Sequence, residues 1–276
     1  SQLGFKTAVI DRDRLGGICL NWGCIPTKAL LKNAEIVDEV RNKGGDWGIE
    51  VENIKLNFEQ MIKRSRKVAD KMASGIEYLM KKNKITVFNG AAKLKSKDTV
   101  TVDGKQEVKG KHIILATGAR PRTIPGVEID REKIITSKEA MNLRDQPKSL
   151  IVIGAGAIGI EFTYFYSVIG TKVTVLEAKD RILPIEDADM SKVVDKSLKK
   201  RDVDIKTGVF VDGVEATKDG VKVTFKKGKD GKSETVEAEK CVMAIGVQGN
   251  IENLGLEDVG VNTERNHIVV DDNMAT

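Results

Sequence analysis

Two cysteines stand five positions apart in the run Gly16-Gly17-Ile18-Cys19-Leu20-Asn21-Trp22-Gly23-Cys24-Ile25-Pro26-Thr27-Lys28, and the chain has only one other, Cys241. A close pair in an otherwise cysteine-poor chain points to redox chemistry rather than to a disulfide-stapled secreted scaffold. Thiol–disulfide exchange needs two unlike sulfurs, one that meets the substrate and one that leaves readily as a thiolate. The residues after Cys24 provide for that difference. Ala29, Leu30 and Leu31 are apolar and no helix breaker comes before Gly44. A helix is therefore expected to open at Cys24, with Pro26 in its first turn, where a missing N–H costs nothing. A thiol at a helix N-terminus is stabilised as its anion. Cys19 is expected on the loop before that helix, freer to meet a substrate. A purely structural cross-link would contribute little over so short a loop, because the entropy it removes shrinks with loop length.

A second chemical signal is Gly154-Ala155-Gly156-Ala157-Ile158-Gly159. A lone glycine pattern is weak, but here its context agrees. The apolar run 149–153 precedes it, a helical stretch is expected from about Ile160 to Ile169, and Glu177 lies 23 residues beyond Gly154 at the end of the next strand. In such a turn Gly154 permits the tight bend, Gly156 lets the backbone approach a pyrophosphate, and Gly159 lets helix and strand pack closely, with Ile158 between them. The helix N-terminus favours the anion. A carboxylate at Glu177 would accept hydrogen bonds from a ribose and repel a 2′-phosphate, and Arg181 is four residues on rather than adjacent. NAD is expected in preference to NADP.

The elements that position these groups occur twice. At a constant offset of 166, Ser1, Gly4, Lys6 and Val9 recur as Ser167, Gly170, Lys172 and Val175, and an acidic residue, Asp11 or Glu177, ends each segment. Each copy reads as a helix end, a glycine, and a buried strand. A second echo, at offset 128, sets the apolar run 112–118 against 241–246, each expected as a strand ending in glycine and each preceded by β-rich sequence, 85–102 and 203–225. The pattern is α/β: two Rossmann-like, doubly wound dinucleotide-binding domains, each with an inserted β-meander. The boundary is expected among Pro121, Pro125 and Pro147.

Composition excludes other classes. The 276 residues are 40% hydrophobic and 32% charged, the balance of a globular protein with room for two domains. The net charge of +5 comes with basic clusters at Lys63, Arg64, Arg66 and Lys67, at Lys81, Lys82 and Lys84, and in the expected hairpin tip Lys227-Gly-Lys-Asp-Gly-Lys232. These read as solvated surface, and with aromatics at 4% no nucleic-acid platform is expected. No apolar run is long enough for a membrane helix, so no membrane partner is expected.

The cysteine segment resembles the redox-active disulfide of the class I pyridine nucleotide–disulfide oxidoreductases, and the resemblance runs along essentially the whole chain; Trp22 stands where many members have Val. Within that family it is most similar to members that oxidise dihydrolipoamide, with glutathione and mercuric reductases as rivals that would prefer NADP. The resemblance implies FAD and NAD as cofactors, with electrons passing from a dithiol through Cys19 and Cys24 and the flavin to NAD. It implies Cys19 as the thiol that meets the lipoyl sulfur and Cys24 as the one facing the flavin, with Lys28 near the flavin and paired to Glu161. It places Asp11 on the FAD ribose, Gly16 and Gly17 at the pyrophosphate, Gly90 at the adenine, and Thr117, Gly118 and Ala119 on the flavin side. Val211 and Gly246 match NAD-contacting positions, although Val247-Gln-Gly-Asn250 replaces the Arg-Arg-Pro-Asn of many members.

The resemblance implies an FAD domain over 1–122 without its first strand and glycine turn, a linker over 123–146, an NAD domain over 147–271, and a return toward the FAD domain at 272–276. The resemblance further implies that a C-terminal dimerisation domain, which would supply a His–Glu base across a homodimer, is absent from this stretch of sequence. The chain reads as truncated at both ends. His112 and His267 lack the expected His-Pro-Thr neighbourhood and read as structural, and Cys241 as a buried small residue. The implied partner is the lipoyl group of a 2-oxo acid dehydrogenase or glycine cleavage complex, in bacterial cytoplasm or mitochondrial matrix; the alternative is a nucleotide-binding module without turnover. The purified 276-residue chain is expected to bind NAD, to hold FAD poorly and to lack dihydrolipoamide activity; robust NADH production by it would contradict this.

Overall fold

A computed structural model describes residues 1–228 and 231–276. Lys229 and Asp230, in the expected lysine-rich hairpin tip, lie outside the described residues. The first half runs β1 (Ala8–Asp11), α1 (Gly17–Trp22), α2 (Cys24–Lys43), α3 (Phe58–Lys82), β2 (Thr86–Asn89), β3 (Ala92–Ser96), β4 (Thr99–Val102), β5 (Gln106–Lys109) and β6 (Ala119–Pro121). Then come β7 (Ile134–Ile135), α4 (Ser137–Ala140), β8 (Ser149–Ile153), α5 (Ala157–Val168), β9 (Lys172–Glu177), α6 (Ala188–Lys199) and β10 (Asp204–Thr207). The last elements are β11 (Val209–Ala216), β12 (Val221–Lys227), β13 (Ser233–Ala238), β14 (Lys240–Met243), β15 (Val247–Gly249), β16 (Thr263–Glu264) and β17 (His267–Ile268). Two compact units emerge, one of residues 1–21, 69–120 and 247–276, the other of 22–68 and 121–246. Residues 22–68 thus pack with 121–246, a grouping by compactness that differs from a division near 122.

The second unit carries a five-stranded sheet in the order β10-β9-β8-β14-β7, with every pair parallel. The inner strand β8 (Ser149-Leu-Ile-Val-Ile153) is apolar from Leu150 onward because both of its faces are covered, whereas the edge strand β10 carries Asp204 and Lys206. Along β8, Leu150 and Val152 point into one core with Leu30, Phe162, Phe165 and Tyr166. Ile151 and Ile153 point into the other, with Val223, Phe225, Cys241 and Met243. The first face is closed by α5 and by the apolar side of α2, the second by the antiparallel meander β11-β12-β13. Tyr166 is fully buried, and its hydroxyl donates to the Ala140 carbonyl at 2.5 Å. The strand order reverses beside β8, so the loop after β8 lies at the point where such sheets open a crevice.

The first unit holds the parallel pair β1-β2, in register from Ala8↔Thr86 to Asp11↔Asn89, and the antiparallel meander β3-β4-β5. A smaller core forms from Leu94, Val100 and Leu256. Here three expectations need correction. The run 112–118 is not a hydrogen-bonded strand: among the described residues no strand lies alongside to bond it, and Ile114 is 88% exposed. For the same reason β1, expected to be buried, is only half covered, with β2 on one edge and, among the described residues, no strand on the other. The expected helix end at the start of the chain is a turn, closed by the Gly4 amide on the Ser1 carbonyl at 2.9 Å.

No helix among the described residues is long and apolar enough to cross a membrane. Leu30 is fully buried where α2 meets α5. Leu30→Ala is expected to destabilise the fold by about 2–5 kcal/mol in urea unfolding, the range for a truncated buried leucine.

Candidate functional site

Cys24 is the first residue of α2, and Gly23 is its cap residue. The Thr27 amide and hydroxyl both donate to the Gly23 carbonyl, at 3.0 and 2.7 Å, which pins the first turn. Helix α3 holds the same turn from the side: Ser65 Oγ donates to the Pro26 carbonyl at 2.9 Å, and Arg64 Nη1 to that of Ala29 at 2.9 Å. Cys19 and Cys24 form a disulfide, and both are exposed. Cys19 is not on a loop, however. It lies in the short helix α1, which Asn21 ties down: the buried Asn21 amide donates to the carbonyls of Leu15 and Gly17, both at 3.0 Å.

Lys28, one turn into α2, forms an ion pair with Glu161 of α5 across 133 residues of sequence. Arg66, assigned to solvated surface on sequence grounds, is half-buried, with its guanidinium 4.1 Å from the centre of the Trp22 ring and Nη1 3.7 Å from Met141 Sδ. Lys138 of α4 brings its ammonium to 4.6 Å from the same ring. In the sequence Trp22 only stands where many members of the resembling family have Val. Only the fold could show that two cations from distant segments meet it.

The helix after the glycine turn starts at Ala157, three residues before the expected position, with Gly156 as its cap residue. The turn is sterically closed: a Cβ on Gly159 would come within 1.9 Å of the Gly154 carbonyl oxygen, and one on Gly154 within 2.4 Å of that of Ala244. Gly156 faces open space and Ile158 is 37% exposed beside it. Glu177 is buried at the end of β9. Its carboxylate accepts from the Ala155 amide at 2.6 Å and the Lys179 amide at 2.8 Å, bracing the turn against the strand. Val211 lies half-buried in β11 beside a β-bulge, and the Gly246 carbonyl accepts from the Arg122 amide at 2.9 Å.

In the first unit Asp11 ends β1, where Oδ1 accepts from the Asp13 amide at 3.0 Å and the carbonyl from the Gly90 amide at 2.9 Å. Gly16 and Gly17 lead into α1. The 117–119 turn is held by Asn250: Thr117 Oγ1 donates to the Asn250 carbonyl at 2.8 Å, and Asn250 Nδ2 to the Thr117 carbonyl at 3.0 Å. Arg120, beside Ala119, forks onto Glu252, whose carboxyl it holds down to about 2. This Arg120–Glu252 clamp carried no sequence signal. His112 is exposed, and exposed His267 sits in the β16-β17 hairpin with Nδ1 2.9 Å from the Arg265 carbonyl. Among the described residues no group of His, Cys, Asp and Glu could hold a metal ion.

The three thiols differ sharply in access. Cys241 is fully buried, and burial pushes its thiol well above the usual range. After mild reduction, a native thiol titration is expected to count two reactive sulfurs, Cys19 and Cys24, with the third appearing only in denaturant. Three equivalents at the native stage would contradict the fold.

The sequence matches the pyridine nucleotide-disulphide oxidoreductase family over residues 1–276. It is 45% identical to a dihydrolipoyl dehydrogenase of Rhizobium etli over 98% of this chain and 60% of that protein, and 40% identical to one of Bacillus subtilis over 100% and 60%. The chain thus spans about 60% of the length of these curated relatives. Among solved structures, LpdA from Mycobacterium tuberculosis superposes with a TM-score of 0.87 at 30% identity, over 96% of this chain and 58% of that one. The HOCl-induced flavoprotein disulfide reductase RclA from Escherichia coli does so with a TM-score of 0.84 at 27% identity, over 100% and 59%. With a disulfide at a helix N-terminus, a braced glycine turn and a match along its full length, this chain belongs to the pyridine nucleotide–disulphide oxidoreductase family.

Proposed function

We propose that the protein to which this chain belongs oxidises dihydrolipoamide with NAD, using FAD and the Cys19–Cys24 disulfide. The observation that carries this reading is the exposed disulfide with its second sulfur at the first position of α2. The dihydrolipoyl dehydrogenases among its relatives favour the substrate. The residues present fit the two cofactors. Gly156, at the N-terminus of α5, offers open backbone to the NAD pyrophosphate, and Glu177 offers its carboxylate to the ribose. Gly154, Ile158, Gly159, Val211 and Gly246 would complete that site. Gly17 offers open backbone to FAD in the same way. Asp11, Gly16, Gly90 and the Thr117-Gly118-Ala119 turn would hold the rest of FAD, with Lys28 and Glu161 on the redox side.

When bound, the flavin and the nicotinamide supply a two-electron acceptor pair. The chain's own residues perform the exchange. One substrate thiolate attacks Cys19, the Cys19–Cys24 bond breaks, and its electron pair leaves on Cys24, where the helix dipole and free N–H groups stabilise the anion. The second substrate thiolate then attacks the substrate's own sulfur in the mixed disulfide and releases Cys19. One S–S bond is lost from the protein and one is gained by the substrate, so two electrons enter the cysteine pair and the substrate gives up its two thiol protons. The ion pair with Glu161 is proposed to fix the position of the Lys28 ammonium beside this turn, with its charge balanced by the carboxylate.

A full-length version assayed with dihydrolipoamide and NAD, glutathione disulfide and NADPH, and Hg(II) and NADPH tests the assignment. NAD-linked dihydrolipoamide turnover is expected to dominate, and Cys24→Ser to reduce it by roughly 10³-fold or more, as loss of a group that takes part in the bond-breaking step does. Preferential reduction of glutathione disulfide or Hg(II) would sink the substrate assignment.

A further inference from the structure

The Thr117-Gly118-Ala119 turn draws no support from a sheet on its N-terminal side, because among the described residues no strand lies beside the run 112–118. Its fastening comes from one residue far along the chain. The Asn250 carbonyl accepts from Thr117 Oγ1 at 2.8 Å, Asn250 Nδ2 donates to the Thr117 carbonyl at 3.0 Å, and the Asn250 amide donates to the Gly118 carbonyl at 3.0 Å. Two successive carbonyls of the turn are thus committed to Asn250. Where Asn250 sits decides where the turn sits.

Asn250 is held in its place by Arg120. Arg120 Nη1 donates to Asn250 Oδ1 at 3.1 Å, to the Gly249 carbonyl at 3.2 Å and to Glu252 Oε2 at 2.8 Å, and Nη2 donates to Glu252 Oε1 at 2.5 Å. Gln248, with its amide oxygen facing the guanidinium, accepts from Nε at 3.0 Å and Nη2 at 2.8 Å. Many family members carry Arg at 248, which has no acceptor; Gln248 supplies one. A planar fork can reach all these oxygens at once, and a lysine ammonium cannot. The far side of the fork is anchored as well. Two residues past Glu252, the Leu254 carbonyl accepts from the Leu94 amide at 2.8 Å, and Leu256 is buried with Leu94 and Val100. Support therefore runs from that small core through Glu252, Arg120 and Asn250 to the turn.

We infer that Arg120 is a positioning residue for the flavin, aiming Asn250 and, through it, the Thr117-Gly118-Ala119 turn. This rests on the proposed placement of that turn at FAD. Arg120 acts without touching the cofactor, since its N–H groups are spent on protein oxygens and Glu252 balances its charge.

The test is the FAD affinity of the full-length protein, stripped of flavin and titrated with FAD by flavin fluorescence. Asn250→Ala and Arg120→Gln are each expected to raise Kd about tenfold, the loss that goes with one charge-assisted hydrogen bond. Because the two act in series, the double variant is expected to bind about as weakly as either single one. Arg120→Lys keeps a cation for Glu252 but not the fork, and is expected to behave like Arg120→Gln. At saturating FAD the visible absorption band of the bound flavin is expected to shift in Arg120→Gln as it does in Asn250→Ala, which a loss of stability alone would not produce. An unmoved Kd or band in Arg120→Gln, full rescue by Arg120→Lys, or a double variant about a hundredfold weaker, as independent sites would give, overturns the inference. If Arg120→Gln fails to fold by far-UV circular dichroism, Glu252→Ala decides in the same way. An effect in Asn250→Ala without one in Arg120→Gln would sink the positioning role alone, while no effect in either would sink the placement of the turn at FAD together with it. A full-length protein inactive on dihydrolipoamide would sink the proposed substrate and leave this result standing.

Discussion

Cys24 benefits from a helix N-terminus only while that first turn stays folded, and free helix ends fray because their N–H groups have no partner within the helix. Everything around α2 counters that tendency. Thr27 closes the turn on Gly23, Ser65 and Arg64 bind carbonyls that α2 presents sideways, and Leu30, Ala34 and Val37 sink its apolar side into the core under α5. The chemistry of two exposed sulfurs is thus underwritten by buried hydrocarbon one turn away. The disulfide itself spans too few residues to contribute much to stability.

A second constraint is steric. The turn after β8 leaves no room for a side chain at Gly154 or Gly159, because backbone oxygens of Ala244 and Gly154 occupy the space. This packs α5 hard against the sheet and fixes where its free amides lie. The same turn leaves Gly156 open. Closeness on one side and openness on the other are both glycine properties, at different positions of one motif.

Much of this was legible in the sequence. The strand 149–153, the start of α2 at Cys24 and the burial of Cys241 follow from apolar runs and helix-start signals that local physics dictates. The pairing of Lys28 with Glu161 came only through family resemblance, since nothing local links residues 133 apart. The failures have physical causes as well. The run 112–118 has a strand's composition, but a strand is a relation between two segments, and among the described residues no strand lies beside it. Cys19 looked like loop because its helix is too short to show a periodicity; the Asn21 amide, not an apolar stripe, stabilises it. The contacts of Trp22 and the Arg120–Glu252 fork are side-chain meetings across long sequence distances, where charge and aromatic type give no direction.

The brace that Glu177 provides to the glycine turn has one further consequence. A carboxylate has about four acceptor positions, two on each oxygen. Here Oε2 spends one on Ala155 and Oε1 one on Lys179, so each oxygen retains a lone pair. The carboxylate therefore keeps acceptor capacity for a further donor while the turn remains fastened.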